Sequence, residues 1–305
     1  MSNESYETPP DGEVQAIETD YEVGQDNYQS KFGPFGLDIH NPVFMISGLT
    51  IVAFVFLALA LPGPAADFFG WLRPAITSTF DWFFLLSANI FVLVCLGIVV
   101  SPLGRVRIGG TEATPDYSYA TWFSMLFAAG MGIGLMFFGV SEPISHFTSS
   151  FAEGAGSADS WAPLAGAAGD AVEAQRLGMA ATIFHWGLHP WAIYAIVALA
   201  LALFSFNKGL PLSMRSIFYP IFGERVWGWT GHIIDTLAVF ATLFGLATSL
   251  GIGAQQANAG LEFLFGIPDG DTSKVLLIIG ITGIALLSVL AGLDKGVRRL
   301  SEANM

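Results

Sequence analysis

Six runs of about 20 uncharged, mostly apolar residues constrain this chain more than any other feature. A helix of that length crosses the hydrocarbon core of a bilayer, where helices and closed barrels alone satisfy their own backbone hydrogen bonds. Only 12% of the 305 residues are charged, too few to solubilise a globular surface of this size. The sequence therefore predicts an all-α integral membrane protein. The six predicted spans are Pro42–Leu61, Trp82–Ser101, Tyr119–Val140, Leu177–Leu203, Thr236–Gly253 (with a start near Trp229 left open) and Val275–Leu293.

The basic residues orient these spans. If the N-terminus is cytoplasmic, nine of the 12 lysines and arginines fall on cytoplasmic segments, so the positive-inside rule places both termini in the cytoplasm. The nine are Lys31, Arg105, Arg107, Lys208, Arg215, Arg225, Lys295, Arg298 and Arg299. The outer segments hold Arg73, Arg176 and Lys274.

The first 40 residues differ in composition from the rest of the chain. Against one lysine they carry nine carboxylates: Glu4, Glu7, Asp11, Glu13, Glu18, Asp20, Glu22, Asp26 and Asp38. With so few aliphatic residues this segment is predicted to be a disordered cytoplasmic tail (1–40), followed by a transmembrane domain (41–305). It lacks the basic start and apolar centre of a signal peptide. A pI near 4.6 suggests a salt-rich cytoplasm, the alternative being an acidic tail without that meaning.

Three glycines at alternate positions, Gly130, Gly132 and Gly134, mark the third span. Each costs a helix about 1 kcal/mol relative to alanine, so this is where we expect the span to unwind. Unwound backbone at membrane depth offers carbonyls to sodium and helix N-termini to a carboxylate. Gly130 and Gly134 also form a GxxxG pair, which lets helices approach closely. Residue chemistry leaves unwinding and packing both open.

Aromatic residues cluster in the fourth span at Trp186, Trp191 and Tyr194. They share one broad face of a helix and occupy its middle and far half, which favours a lined cavity over an interfacial belt. A quaternary ammonium group has no N–H to donate, but aromatic faces attract it by about 0.5–2 kcal/mol per contact. Plain packing between helices is the alternative.

The same span carries His185 and His189, four residues apart, a spacing at which two imidazoles can bind one metal. No further ligand completes a set in the sequence, so we expect no metal and instead hydrogen bonds to neighbouring helices. Pro190 is expected to kink the helix here.

Polar side chains mark the fifth span. Asp235 stands near its start, either as a functional residue at depth or as an interfacial one. Thr242, Thr248 and Ser249 follow, and their hydroxyls could ligate sodium or bond the backbone one turn back. The connection Ser141–Arg176, rich in alanine and glycine, is expected to be a surface loop with little structure.

Long strings of the sequence resemble the betaine/carnitine/choline transporter family. They are AAGMGIGLMFFGVSEPISHF (128–147), TIFHWGLHPWAIYAIVALALA (182–202), IDTLAVFATLFGLATSLGIGAQQ (234–256) and DKGVRRLSEANM (294–305). With the spacing between them, these strings cover the chain from about residue 40 to its end.

The resemblance implies a LeuT-type transporter fold with twelve helices: two leading helices, then two inverted repeats of five. It also implies trimers and uptake of trimethylammonium solutes by sodium or proton symport or by exchange. Trp186, Trp191 and Tyr194 match half of the family's aromatic box, with the three glycines beside the substrate. The backbone carbonyls of Ala128 and Met131 match one sodium site, and Thr242 matches a ligand of a second. Leu246 replaces a threonine of some sodium-coupled members, and the intact GMGIG motif favours sodium over exchange.

By the same resemblance the chain holds six of the twelve helices and stops where the seventh should begin. Taken alone, we expect it not to transport. The leading hypothesis is sodium-driven uptake of glycine betaine in osmotic adaptation, by a homotrimer if full length, with proton coupling second. No enzyme activity, cofactor or nucleic-acid partner is expected. The alternatives are a non-transporting remnant, a membrane-bound binding or sensing subunit, and a membrane enzyme built on the histidine pair.

Overall fold

Helices dominate the computed structural model, which describes residues 14–33, 35–152 and 164–305. A β-hairpin, β1 (Asn27–Phe32) and β2 (Phe35–His40), precedes them. The helices are α1 (Val43–Ala60), α2 (Pro62–Val100), α3 (Tyr119–Gly130), α4 (Ile133–Phe151), α5 (Ala171–Trp186), α6 (Leu188–Ala202), α7 (Met214–Ile217), α8 (Tyr219–Phe222), α9 (Trp229–Phe265), α10 (Asp271–Gly292) and α11 (Arg298–Asn304). Short 3₁₀ segments (Pro102–Arg105, Gly223–Trp227) and π segments (Leu203–Asn207, Leu293–Val297) join or extend them.

The membrane prediction is confirmed. By length and apolar composition, five helices of the described chain could cross a bilayer, or six if α3 and α4 form one bent span. Each predicted window falls on one of them. Helix α2 begins 20 residues ahead of its window (62 against 82), with prolines in its first turn, where the missing N–H costs no hydrogen bond.

The expectation of a loop over Ser141–Arg176 is wrong at both ends. Helix α4 continues to Phe151 and α5 begins at Ala171, while residues 153–163 lie outside the described part of the chain. Asp170 caps α5, because its Oδ1 accepts hydrogen bonds from the backbone N–H groups of Val172 and Glu173, both at 3.0 Å. Asp170 is therefore a local signal for the start of a helix, although it lies in a segment whose alanine and glycine content suggested a loop.

The chain forms two compact units. The first combines the described residues up to Ala113 with Leu188–Thr242, and the second combines Thr114–Gly187 with Leu243–Met305.

In the first unit, the described part of the acidic segment covers residues 14–33 and 35–40, and residues 1–13 lie outside it. Residues 17, 19 and 21 point inward, while 18, 20 and 22, all carboxylates, point to solvent. Tyr21 stacks on Trp227 with ring centroids 4.4 Å apart, and Trp227 Nε1 donates to Thr19 Oγ1 at 2.8 Å. The N–H of Ile17 donates to the carbonyl of Lys208 at 2.9 Å. The alternation lets a charged segment bury one apolar face.

Arg215 is the buried centre of a polar cluster in this unit and is only 2% exposed. Its Nε lies 2.5 Å from Asp235 Oδ2, and its backbone N–H donates to Asp235 Oδ1 at 2.9 Å. Nη2 donates to His40 Nε2 at 2.9 Å and to His232 Nδ1 at 3.2 Å. Burial first, and then the neighbouring Arg215 charge, lower the pKa of His40. Asp235 is thus the ion-pair partner of a buried arginine.

In the second unit, α4 packs along α5 and α11 packs against α3. Gly178 permits the first contact, because a Cβ there would lie 2.8 Å from the backbone nitrogen of Phe147. Thr121 Oγ1 donates to Glu302 Oε1 at 2.8 Å across the second. These two contacts hold the helices on either side of the glycine stretch.

Candidate functional site

The third span breaks at the glycine stretch. Helix α3 ends at Gly130, Met131 (φ −90°, ψ 54°) leaves helical geometry, and Gly132 (φ −77°, ψ −178°) is extended before α4 begins at Ile133. The two helices are bent by 51° across the break. The prediction that this span unwinds is confirmed.

The break changes what the backbone can bind. The N–H of Met131 donates to the carbonyl of Phe127 at 2.7 Å and closes α3. The carbonyl of Ala128 belongs to the last turn of α3, whose carbonyls have no regular donor further along the same helix. Ala128 also lines an open cleft of about 470 Å³ whose walls are mostly apolar, with Ser288, Ser301 and Asn304 as the polar residues. Carbonyl and hydroxyl oxygens of this kind are suitable ligands for a hard cation.

Trp186 lies directly against the glycine stretch, within the second unit. A Cβ added to Gly134 would be 3.5 Å from Cη2 of Trp186, which is ordinary van der Waals contact. Trp186 also stacks with Phe138 (ring centroids 6.0 Å apart, planes 23° apart). The glycines open the helix, and Gly134 lies beside the indole without being required for its fit, because a Cβ there would make only an ordinary contact.

Trp191 and Tyr194 form a pair in the first unit, on α6. Their ring centroids are 6.0 Å apart with planes at 31°, and Tyr194 is 65% exposed. Helix α5 ends at Trp186 and is interrupted at Gly187, three residues before Pro190, which sits in the first turn of α6 where proline is tolerated. The three predicted aromatic residues are thus divided between the units, two in one and Trp186 in the other.

Thr242 lies in the first unit, whereas Ala128 and Met131 lie in the second. The hydroxyl of Thr242 donates to the carbonyl of Ala238 at 2.8 Å, and Thr248 does the same to Phe244 at 2.9 Å. Both hydroxyls therefore bond the backbone one turn back, which is the second of the two roles expected from the sequence. A hydroxyl that donates in this way keeps lone pairs on its oxygen, so ligation of sodium by Thr242 stays a prediction.

The two histidines of the fourth span have separate partners. His185 Nδ1 is 2.9 Å from Glu142 Oε1 in the second unit, and His189 Nε2 is 3.2 Å from Asn89 Oδ1 in the first. Their expected hydrogen bonds to neighbouring helices are confirmed. Within the described residues, no group of three or more His, Cys, Asp or Glu side chains could hold a metal.

Glu142 is the residue that sequence reasoning missed. It is 7% exposed on α4, two residues beyond the predicted end of the third span, and it also faces His146, with Nε2 of that histidine 3.5 Å from its Oε2. A carboxylate followed four residues later by a histidine is readable in SEPISH (141–146), and it would have marked one face of a helix extended past the uncharged window.

Comparison with known proteins agrees with this architecture. Residues 42–305 match the sequence model of the betaine/carnitine/choline family of transporters. The resemblance predicted from the sequence motifs is confirmed.

Several curated proteins are similar over most of the chain. A glycine betaine/proline/choline transporter of Vibrio parahaemolyticus is 67% identical over 299 residues, which are 97% of this chain and 54% of that protein. A glycine betaine transporter of the same organism is 52% identical (94% of this chain, 52% of the relative). A high-affinity choline transport protein of Escherichia coli is 41% identical (87% and 37%). The chain spans about half the length of the curated relatives it matches most fully. All three names describe transporters and none an enzyme.

Proposed function

Because the chain belongs to the betaine/carnitine/choline transporter family, we propose that it serves the sodium-driven uptake of a trimethylammonium compatible solute, with glycine betaine as the first substrate. The observation that carries this proposal is the contact between the broken third span and Trp186. It joins backbone suited to a cation or a carboxylate with an aromatic face suited to a quaternary ammonium group.

The aromatic residues are proposed to hold the ammonium group. Within the second unit Trp186 offers its indole beside Gly134, and within the first unit Trp191 and Tyr194 offer a pair of rings on α6. The names of the relatives support this class of solute, since glycine betaine and choline both carry a trimethylammonium group. In glycine betaine the carboxylate would meet the N-terminal end of α4, where backbone N–H groups and the helix dipole favour an anion.

Sodium is proposed as the coupling ion. The carbonyls of Ala128 and Met131 would ligate one sodium at the break, and Thr242 a second. A sodium at the break would stabilise the arrangement that places Trp186, so its binding and that of the substrate would reinforce each other. Alternating access of two inverted LeuT-type repeats, a trimer and a cytoplasmic N-terminus complete the proposal from the family and the charge distribution.

Uptake of radiolabelled glycine betaine into proteoliposomes tests this proposal. The protein is expressed from the complete reading frame that encodes this chain, and uptake is measured with and without a sodium gradient. Trp191→Ala should raise the KM about 2- to 30-fold, the range expected for one lost cation–π contact. Trp71→Ala, a change of an exposed tryptophan on α2, is the matched control. Uptake that depends neither on the sodium gradient nor on Trp191 would refute the assignment of sodium as the coupling ion and of the aromatic residues as the ammonium site. A protein that takes up no betaine, choline or carnitine would favour a non-transporting binding protein.

A further inference from the structure

Helix α4 presents one continuous stripe to α5. Gly134, Phe138, Glu142 and His146 recur every four residues, which places them on one face of the helix. Three of them face the last turn of α5: a Cβ added to Gly134 would lie 3.5 Å from Trp186, Phe138 stacks with Trp186, and Glu142 contacts His185. The aromatic wall and the buried carboxylate are therefore neighbours on the same surface.

The carboxylate of Glu142 is held from both helices. Its Oε1 and Oε2 lie 2.9 and 3.0 Å from Nδ1 of His185, and its Oε2 lies 3.5 Å from Nε2 of His146. Nδ1 must carry the hydrogen to donate to a carboxylate, so this contact selects the tautomer of His185 as well as its orientation. Glu142 is 7% exposed and the His185 side chain is 62% exposed, so the acceptor end of this hydrogen bond is the buried one, and a hydrogen bond to a carboxylate is directional.

The hydrogen bond from His185 to Glu142 joins α4 to the last turn of α5, which ends at the next residue. Gly187 (φ −79°, ψ −127°) leaves helical geometry, so the carbonyls of this turn have no donors further along α5. His185 and Trp186 are consecutive, with ring centroids 5.5 Å apart. Fixing the imidazole therefore fixes the rotation of the turn that carries the indole.

We propose that Glu142 is a positioning residue: through its bond to His185 it sets the orientation of Trp186 and thereby the shape of the ammonium-binding wall. This inference rests on the proposed function for its consequence in transport, but its structural part is testable separately. A pair that merely stabilises helix packing would affect the amount and stability of the protein and leave the affinity for substrate unchanged.

The kinetic test uses Glu142→Leu and Glu142→Gln in the complete reading frame, with glycine betaine as the substrate. Glu142→Leu removes the acceptor and should raise KM about 2- to 30-fold, the range for one impaired cation–π contact, with Vmax within about twofold of wild type. Glu142→Gln keeps one acceptor oxygen and should give a smaller rise in KM. It also allows the test to be made if the leucine variant does not fold. The double variant Glu142→Leu/His185→Leu should be no worse than either single change, since both remove the same bond. Glu173→Gln, an exposed change in the first turn of α5, is the control.

A second measurement does not depend on transport. In protein labelled with 5-fluorotryptophan, the ¹⁹F resonance of Trp186 is assigned with Trp186→Phe and compared between wild type and the Glu142 variants. We expect this resonance to shift or broaden in Glu142→Gln while that of Trp71 stays in place. An unchanged Trp186 resonance together with an unchanged KM would overturn the proposal. A wild-type protein that transports no betaine would refute the proposed function, and the resonance would still decide the positioning role.

Discussion

Removing the carboxylate of Asp235 should destabilise the first unit by about 3–5 kcal/mol, the cost of leaving a buried charge without its ionic partner. The arginine side chain is 3% exposed and that of Asp235 16%, so water cannot replace the lost contacts. Asp235→Ala deletes both oxygens that Arg215 uses, one at Nε and one at its backbone N–H. The guanidinium then keeps two imidazole acceptors on Nη2, from His40 and His232, and neither carries a compensating charge.

Equilibrium unfolding in mixed dodecylmaltoside and SDS micelles measures this loss. Trp227 is 8% exposed in the same unit, so tryptophan fluorescence reports on its surroundings. Asp235→Asn keeps one acceptor and should lose less than Asp235→Ala. Glu173→Gln breaks the exposed pair with Arg176 and should cause no measurable change, because solvent screens that pair.

The double variant Arg215→Met/Asp235→Leu separates a lost partner from lost packing. If the buried charge causes the loss, replacing both members with apolar side chains of similar size should recover most of the stability. A loss below about 1 kcal/mol in Asp235→Ala would show that solvent reaches Arg215, and the reasoning from burial would then fail.

Two further predictions concern helix packing and pH. Gly178→Ala should cost about 1–3 kcal/mol by overpacking, because its Cβ would lie 2.8 Å from the backbone nitrogen of Phe147. Gly139→Ala meets open space and should not, and equal thermal stability of the two variants would contradict the close contact of α4 with α5. Burial, and then the charge of Arg215, lower the pKa of His40 below its ordinary 6.5. The contribution of neutral His40 to the stability of the docked hairpin is therefore complete above pH 6.5, and it is lost as the pH falls from 6.5 towards the lower pKa of the folded state. Proteolysis of the N-terminal segment should therefore accelerate across that window in the wild type and accelerate less in His40→Gln, which retains His232 beside Arg215, and parallel rates would contradict the docking of the hairpin.

Local features of the fold were predictable from the sequence. The break at Met131–Gly132 follows from the low helix propensity of glycine, a property of the residues themselves, and the structure places it within the expected string. The spans were predictable for a similar reason, because twenty apolar residues have few alternatives to a membrane helix. Neither inference requires knowledge of which segment lies beside which.

Contacts between distant segments were not predictable in the same way. In the acidic segment, Tyr21 stacks on Trp227, more than 200 positions away, a contact that composition alone does not indicate. The alternation of Ile17, Thr19 and Tyr21 with carboxylates was visible in the sequence, but it becomes meaningful only where a partner surface exists. Likewise, His185 and His189 are close in the sequence, but they have separate partners in different units, and neither partner is indicated by the spacing of the pair.

The way in which membrane spans are recognised explains why Glu142 was overlooked. A search for uncharged windows ends the third span at Val140, although α4 continues to Phe151. It therefore excludes the ionisable residue that is costly to bury and for that reason needs a function or a partner. Once the helix is extended by three turns, the spacing from Gly134 to His146 predicts a single face that carries the indole contact and the carboxylate together. In chains of this class, a charged residue just beyond an apolar window matters most when it shares a helical face with the glycines and aromatic residues of that window. Burial on that face makes the charge costly, so the residue needs a function or a partner.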